Sequence, residues 1–272
     1  MVRVIYPDTP GVPAGDRGLA YGDGLFETMR IFGQRVRLRS LHLRRMVHDA
    51  GRLGIDIDSG QLDRALDNAV RQLASQDDGA SCILKMMLTR GSGGRGYRPT
   101  EPSEPHLIFS VAPLPSMPDK GGVSARCARF PLTVNPVLAG IKTLNRLQQV
   151  MASREFSGAE WELIMRDATG CLVEGTRTNL LARLADGWVT PPVTSIAVAG
   201  VMREYAMACL KSKGERMTEQ ALPSDITSRP DFRGLYLLNS VFGAVAVHTL
   251  DSVDLPVDGT LATICDFPDT ME

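Results

Sequence analysis

A segment rich in proline and glycine, PLPSMPDKGG at residues 113–122, divides the chain into two stretches with separate helix and strand patterns. Because Pro and Gly disfavour the interiors of helices and strands, such a segment is typical of a linker. A chain of 272 residues is also long enough for two domains, which usually hold about 100–150 residues each. We therefore predict an N-terminal domain at 1–117 and a C-terminal domain at 118–272.

The first stretch combines helical and strand patterns. Residues 40–54 have helical spacing of apolar side chains, with Ser40 as the expected N-cap and Gly54 as the stop. Apolar residues recur with i, i+3, i+4 spacing over 62–73, which predicts a second helix with one buried face. Strands are predicted at 82–90 and 106–113, and a further strand at 122–130 follows the linker.

The second stretch alternates short strands with helices. Helices are predicted to begin near Asn145 and after Gly200, and a strand and turn are predicted near 136–140. No internal repeat and no dinucleotide-binding glycine pattern is present. Further strands are predicted within 161–167, 171–175, 178–184, 187–191 and 235–250.

Composition excludes several classes of function. The 30 basic and 31 acidic residues are mixed along the chain, so no basic face for nucleic acid is expected. Pro7 and Asp8 interrupt any signal-peptide core, and no apolar run approaches the roughly 18 residues that span a membrane. We expect a cytoplasmic protein. Neither a disulfide framework nor a zinc site is expected from the widely spaced cysteines Cys82, Cys127, Cys171, Cys209 and Cys265.

Lysine is scarce, with five residues against 25 arginines. An amine that must lose its proton to attack a carbonyl cannot be replaced by arginine, whose pKa stays above about 12. Lys142 lies in AGIKTLNRL, between a turn and a helix, and is the first candidate for such an amine. Lys85, inside an apolar strand, is its rival. By spacing alone, either residue also fits an ordinary surface charge. The histidines show no metal-binding or nucleophile spacing, so they are not rival catalysts; they are His42, His48, His106 and His248.

Several segments resemble the class IV aminotransferases, which are the fold-type IV enzymes that carry pyridoxal 5'-phosphate (PLP). DRGLAYGDGLFETMRIFGQRVRLRSLHLRRM is similar to the N-terminal signature of the family, with its H-x-x-R element at His42 to Arg45. Four further segments are similar to motifs of the family: IKTLNRLQQV, LVEGTRTNLL, AVAGVMREY and NSVFGAVAV. The resemblance implies an α+β fold of two lobes, with a small N-terminal α+β domain, a larger C-terminal mixed β/α domain and PLP between them.

The resemblance also implies a role for individual residues. Lys142 would carry PLP as a Schiff base, and Glu174 would pair with the pyridine nitrogen. The phosphate would be bound by Arg45, Val201, Met202 and Ser240. The substrate would be bound by Tyr21, Phe26, Arg95 and Tyr97. The segment EGTRT departs from the small or polar pair usual in the family, so Arg177 either recognises a carboxylate or lies at the surface.

Within the family, KTLNRLQQV and TRGSGGRGY resemble the aminodeoxychorismate lyases. This implies conversion of 4-amino-4-deoxychorismate to 4-aminobenzoate and pyruvate in folate biosynthesis, by a homodimer without a metal. Transamination of D- or branched-chain amino acids is the alternative, because it uses the same cofactor and fold. A protein that only binds a phosphorylated metabolite through Arg45, Ser240 and the turn at Gly200 is a third reading.

Overall fold

The computed structural model describes residues 2–6, 11–76 and 81–264, so Cys265 lies outside the described residues. These residues form two compact units. The first contains the described residues up to 115 together with 142–145, and the second contains 116–141 and 146–264. The predicted domain limits stay a prediction, since a compact unit need not be an independently folding domain.

The first unit is built on a mixed sheet, whose described strands are β1 (Arg3–Ile5), β2 (Gly24–Phe32), β3 (Arg35–Val36), β4 (Cys82–Thr89) and β5 (His106–Pro113). They lie in the order β1-β5-β4-β2-β3. Strand β4 is antiparallel to both of its neighbours, and its Lys85 lies opposite Thr28 of β2. Burial alternates along β4, because Leu84 and Met86 are buried whereas Lys85 and Met87 are half-buried. One face of the sheet thus belongs to the core and the other is only partly buried.

The described helices of the first unit are α1 (Arg17–Tyr21), α2 (Arg39–Leu53) and α3 (Ser59–Gln76). The predicted stop of α2 at Gly54 is confirmed by its left-handed φ of 64°. The predicted N-cap at Ser40 is wrong. Leu38 takes that position with a φ of 55°, and its fully buried side chain holds the chain in this conformation. The buried face predicted for α3 is confirmed by Leu62, Ala65, Leu66, Ala69 and Val70.

The second unit contains a larger sheet, whose described strands are β6 (Val123–Cys127), β7 (Glu162–Arg166), β8 (Leu172–Gly175), β9 (Asn179–Leu184), β10 (Gly187–Thr190), β11 (Met217–Glu219), β12 (Phe232–Asn239), β13 (Gly243–Leu250) and β14 (Val253–Asp254). The order is β11-β10-β9-β12-β13-β6-β7-β8, with β14 beside β13. Strand β8 also pairs with β9. The six strands β9, β12, β13, β6, β7 and β8 therefore form a closed ring. Apolar side chains such as Leu180, Leu237 and Val247 form the core of this unit.

The described helices of the second unit are α4 (Leu147–Ser153), α5 (Val201–Ser212) and α6 (Thr260–Ile264), and a short 3-10 helix covers Ile226–Ser228. The strands predicted in this unit are confirmed, although β6 is shorter than the predicted 122–130. The strand predicted near 136–140 is wrong, because these residues form turns. The helix predicted near Asn145 is confirmed and begins two residues later, at Leu147. No helix among the described residues combines the length and apolar character that crossing a membrane requires.

Candidate active site

The backbone of Lys142 is fixed on both sides within the first unit. Its N–H donates a hydrogen bond to Oδ2 of Asp49 on α2, at 3.1 Å. Its carbonyl accepts a hydrogen bond from the N–H of Phe26 on β2, at 3.0 Å. The next residue, Thr143, forms a bridge with Leu25. The lysine is therefore held beside β2 as if it were part of one more strand of the sheet.

Two amines lie over the ring of Phe26. Nζ of Lys142 is 4.1 Å from the ring centroid and Nζ of Lys85 is 4.8 Å from it, so the rival lysines share one aromatic contact. Both residues are half-buried. The side chain of Lys85 makes no hydrogen bond and no ion pair with a described residue. A partly buried cation without a carboxylate partner is suited to hold an anionic group of a ligand.

A buried ionic cluster joins β2 to α2. Glu27 accepts two hydrogen bonds from Arg45, from Nε at 2.7 Å and from Nη2 at 2.5 Å, and Nδ1 of His42 lies 2.6 Å from its Oε2. Burial disfavours the ionised form of Glu27, but Arg45 and His42 outweigh it and lower its pKa to about 2. The carboxylate is therefore ionised at neutral pH and sets the orientation of the Arg45 guanidinium.

The neutral form of His42 is favoured in this cluster. Burial lowers the pKa of His42, and the charges of Arg45 and Lys142 lower it further. Glu27 has the opposite effect but does not outweigh them. The neutral ring then donates its Nδ1–H to Glu27. Nε2 of His42 is buried and has no hydrogen-bond partner among the described residues. The cluster thus contains one buried nitrogen whose hydrogen-bonding capacity is not used by a described residue.

The spacing along α2 explains why these groups meet. His42, Arg45 and Asp49 stand at i, i+3 and i+7, which places them on one face of a helix. That face contacts β2 through Glu27 and the Lys142 segment through Asp49. Arg45 was predicted from the sequence, whereas Glu27 and Asp49 were not. A stripe of polar residues on the inner face of a helix was the signal that would have found Asp49.

The glycine-rich loop carries two of the predicted substrate-binding residues. We define this loop as residues 91–100. Arg95 and Tyr97 are exposed, and Arg95 makes no hydrogen bond or ion pair with a described residue. The ring of Tyr97 lies edge-on to that of Tyr21 at the end of α1, with the centroids 5.6 Å apart. The structure therefore brings together Tyr21 and Tyr97.

In the second unit, Glu174 lies buried near the end of β8. Its Oε2 accepts hydrogen bonds from the N–H groups of Ala197 at 3.0 Å and Val198 at 3.2 Å, and Nε2 of Gln149 lies 3.4 Å from Oε1. Burial raises the pKa of Glu174 to about 7, against the opposing effects of Arg146 and these donors. The Gln149 contact is long, so Oε1 can still accept a strong hydrogen bond from a ligand.

The start of α5 presents free donors. No side chain caps the helix at Gly200, and the N–H groups of Val201 and Met202 have no acceptor among the described residues. Such a helix N-terminus favours an anion. Gly200 itself cannot be replaced without movement, because an added Cβ would overlap Oδ1 of Asn179. Asn179 pairs with Glu174 across β8 and β9, so the carboxylate and the helix start rest on the same strand pair.

Two further residues of the second unit were selected from the sequence. Ser240 lies in the turn between β12 and β13, next to Asn239, whose Oδ1 accepts hydrogen bonds from the N–H groups of Val241 and Phe242. The guanidinium of Arg177 lies 4.6 Å from the ring centroid of Trp161 and donates to its carbonyl at 2.8 Å. No group of side chains suited to hold a metal ion occurs in the described part of the chain.

Comparison with known proteins identifies the family. An aminodeoxychorismate lyase of Vibrio harveyi is 29% identical, over 91% of this chain and 90% of its own. A protein of Mycobacterium tuberculosis named bifunctional aminodeoxychorismate lyase / D-amino acid transaminase is 26% identical, over 93% and 91%. The solved 4-amino-4-deoxychorismate lyase of Pseudomonas aeruginosa has a TM-score of 0.87 and 33% identity, with coverage of 94% and 93%.

These likenesses confirm the predicted fold class, the α+β fold of the fold-type IV PLP enzymes. The family described as amino-transferase class IV matches residues 24–250. The chain is therefore a member of the class IV aminotransferases, enzymes whose cofactor is PLP.

Proposed function

We propose that the chain is a PLP-dependent lyase that converts 4-amino-4-deoxychorismate to 4-aminobenzoate and pyruvate. The proposal is supported by two lyases that resemble the chain over nine-tenths of its length, one of them at 33% identity. The observation that carries it is the position of Lys85, a half-buried cation without an ionic partner, over the same ring as the amine of Lys142.

The two carboxylates of the substrate can be matched to two cations of the first unit that have no ionic partner among the described residues. 4-Amino-4-deoxychorismate carries two carboxylates, one on the ring and one on the enolpyruvyl group. Lys85 and Arg95 are two cations with no ion pair to a described residue, and each would bind one carboxylate. A charge-assisted hydrogen bond of this kind contributes about 1.5–3 kcal/mol. A monocarboxylic amino acid would leave one of the two cations without a partner.

We propose the following residues for the cofactor, and their chemistry fits it. Lys142 would hold PLP covalently, because it is an amine whose backbone is fixed by Asp49 and Phe26. The phosphate would be bound by Arg45, Ser240 and the free N–H groups of Val201 and Met202. Glu174 would accept a hydrogen bond from the pyridine nitrogen through Oε1.

When bound, PLP supplies an electron sink for the charge that develops on the substrate carbon next to nitrogen. Lys142 acts as the base and takes the proton from C4 of the substrate ring. The bond between the ring and the enolpyruvyl oxygen breaks, and the oxygen leaves with the bonding pair. The ring becomes aromatic as 4-aminobenzoate, while the released enolpyruvate takes up a proton and becomes pyruvate. Phe26 and Tyr21 would pack against the substrate.

The alternative is an aminotransferase that acts on D- or branched-chain amino acids. It is favoured by the likeness to the bifunctional protein of Mycobacterium tuberculosis. In that case Lys142 would return the proton to the cofactor, and no enolpyruvyl group would be eliminated. The same residues serve both reactions, so a product assay has to separate them.

The test is the release of products from 4-amino-4-deoxychorismate by the purified holoenzyme. We expect pyruvate and 4-aminobenzoate in equal amounts. Lys142→Ala should abolish both, and Lys120→Ala, a change at an exposed lysine, should leave them unchanged. If no pyruvate appears, but amino groups move from D-alanine or a branched-chain amino acid to a keto acid, the lyase proposal is wrong. A third result, binding of a phosphorylated metabolite without any visible PLP band, would exclude both enzymes.

Family membership also supports three wider proposals. The enzyme would act in folate biosynthesis, in the cytoplasm, and as a homodimer. Light scattering coupled to size exclusion tests the last proposal, since a mass near that of one 29.5 kDa chain would contradict it.

A further inference from the structure

Arg17 is a buried arginine at the start of α1, with only 4% of its surface exposed. Its guanidinium donates to the backbone carbonyls of three residues of the glycine-rich loop. The distances are 2.7 Å to Tyr97, 3.1 Å to Gly96 and 3.5 Å to Gly93. A charged side chain is costly to bury unless its donors are satisfied, and here the loop satisfies them.

The loop depends on this side chain. Residues 93–97 contain no helix or strand, and no group outside the loop other than Arg17 forms a hydrogen bond with them among the described residues. Gly94 has a φ of 78°, a conformation that favours glycine, and glycine restricts the backbone less than any other residue does. Without the hydrogen bonds from Arg17, residues 93–97 would not be held in a single conformation.

Arg17 itself is held on a rigid base. Its Nε donates to Oδ2 of Asp23 at 2.9 Å, and Nε of Arg90 donates to the same oxygen at 2.8 Å. Arg90 also donates to the carbonyls of Leu53 and Gly54 at the end of α2, both at 2.7 Å. Although burial opposes ionisation of Asp23, Arg90 and Arg17 lower its pKa. Arg90, Asp23 and Arg17 thus connect the end of α2 to the loop.

We propose that Arg17 is the positioning residue of the substrate loop and holds residues 93–97 so that Arg95 and Tyr97 can bind the substrate carboxylate. The ring of Tyr21, 5.0 Å from the Arg17 guanidinium and in edge contact with Tyr97, completes this support. The inference rests on the proposed function, which assigns Arg95 and Tyr97 to the substrate. Arg17 is not a catalytic residue, because its donors are used by the loop and by Asp23.

The test compares Arg17→Met and Arg17→Lys with a control in the same loop, Arg98→Met. Arg98 is exposed and makes no hydrogen bond or ion pair with a described residue. Amide hydrogen exchange is measured on each PLP-loaded protein without substrate. In Arg17→Met we expect exchange within residues 91–100 to rise by about tenfold or more, with the sheet still protected. Arg17→Lys should lie between this variant and the wild type, and Arg98→Met should match the wild type.

Kinetics separate positioning from a structural role. In Arg17→Met, KM should rise by about tenfold while kcat stays within about threefold and the PLP absorbance is kept. Wild-type exchange in the loop of both Arg17 variants would overturn the proposal, as would a joint loss of kcat and PLP. If Arg17→Met does not fold, Arg17→Lys must still show faster loop exchange. Amide exchange is measured without substrate, so its result does not depend on the reaction that the enzyme catalyses. If the protein releases no pyruvate, the lyase proposal is refuted, but the exchange rates still show whether Arg17 positions the loop.

Discussion

Asp49 holds Lys142 in place through the backbone, since its side-chain carboxylate accepts the hydrogen bond of the Lys142 N–H at 3.1 Å. Asp49 is almost fully buried and lies on α2 one turn after Arg45. The same helix therefore positions the proposed cofactor amine and the proposed phosphate ligand. This relationship makes α2 the element on which both roles depend.

Replacing Asp49 should weaken the attachment of Lys142. Asp49→Ala leaves the Lys142 N–H without an acceptor, which costs about 1–2 kcal/mol of unfolding free energy, and we expect a lower PLP content after purification. Asp49→Asn keeps an oxygen acceptor and should retain most of the stability and most of the PLP content. Urea unfolding and PLP absorbance measure the two effects. Equal stability and PLP content in Asp49→Ala and the wild type would contradict the role given to Asp49.

Removing the charge of Glu27 should be severe. Glu27→Gln removes the negative charge that pairs with Arg45, whose side chain is only 9% exposed, and this costs about 3–5 kcal/mol. Since the pKa of Glu27 is lowered to about 2, the contribution of its ionised form is present above pH 4.5 and is lost as the pH falls towards 2.

The matched control for Glu27 is Asp63→Asn. It removes the charge from a half-exposed carboxylate paired with Arg39, and should cost no more than about 1 kcal/mol. Chemical unfolding of both variants at pH 7 makes the comparison. Similar losses in the two variants would show that the Glu27 pair is not the buried ionic cluster described here.

Glu174 predicts a pH dependence of the apoenzyme. Its folded pKa is raised to about 7 from an ordinary 4.5, so between these values the folded state keeps a proton that the unfolded state has lost. Stability should therefore fall as the pH rises through this window, by at most about 1.4 kcal/mol per pH unit. Glu174→Gln should lack this decline. Unfolding curves from pH 4.5 to 8 test it, and parallel curves for the two proteins would refute the raised pKa.

Lys85 should govern substrate affinity. Lys85→Met removes the cation over Phe26 and should lower kcat/KM by about 10- to 100-fold, mainly through KM, because a charge-assisted hydrogen bond contributes about 1.5–3 kcal/mol. The PLP absorbance should stay. Lys120→Met, at an exposed position, is the control. An unchanged KM in Lys85→Met would contradict the role of Lys85 in substrate binding, on which the lyase proposal depends.

Most of the strands and helices could be predicted because their apolar residues follow simple periods. The buried positions of α3 repeat with helical spacing, and β4 and β5 are apolar runs bounded by Gly and Pro. The start of α2 could not be predicted from capping rules, because Leu38 is fixed there by tertiary burial and not by a side-chain cap.

Strand β2 shows why part of the candidate site was missed. It runs through GLFETMRIF, in which Glu27 and Arg30 are both buried, and buried charges conceal the alternation that marks a strand. Their burial becomes possible only through partners distant in sequence, such as Arg45. Lys142, by contrast, was selected because lysine is scarce and because its segment resembles a family motif, and neither signal identifies Asp49.

The most direct test of the central claim is to find which lysine carries the cofactor. Borohydride reduction of the PLP-loaded protein, followed by peptide mass spectrometry, maps the modified residue. We predict that the pyridoxyl group is found on the peptide containing Lys142 and that the visible absorbance is lost in Lys142→Ala. Modification of Lys85 in the wild-type protein, with Lys142 unmodified, would contradict the account.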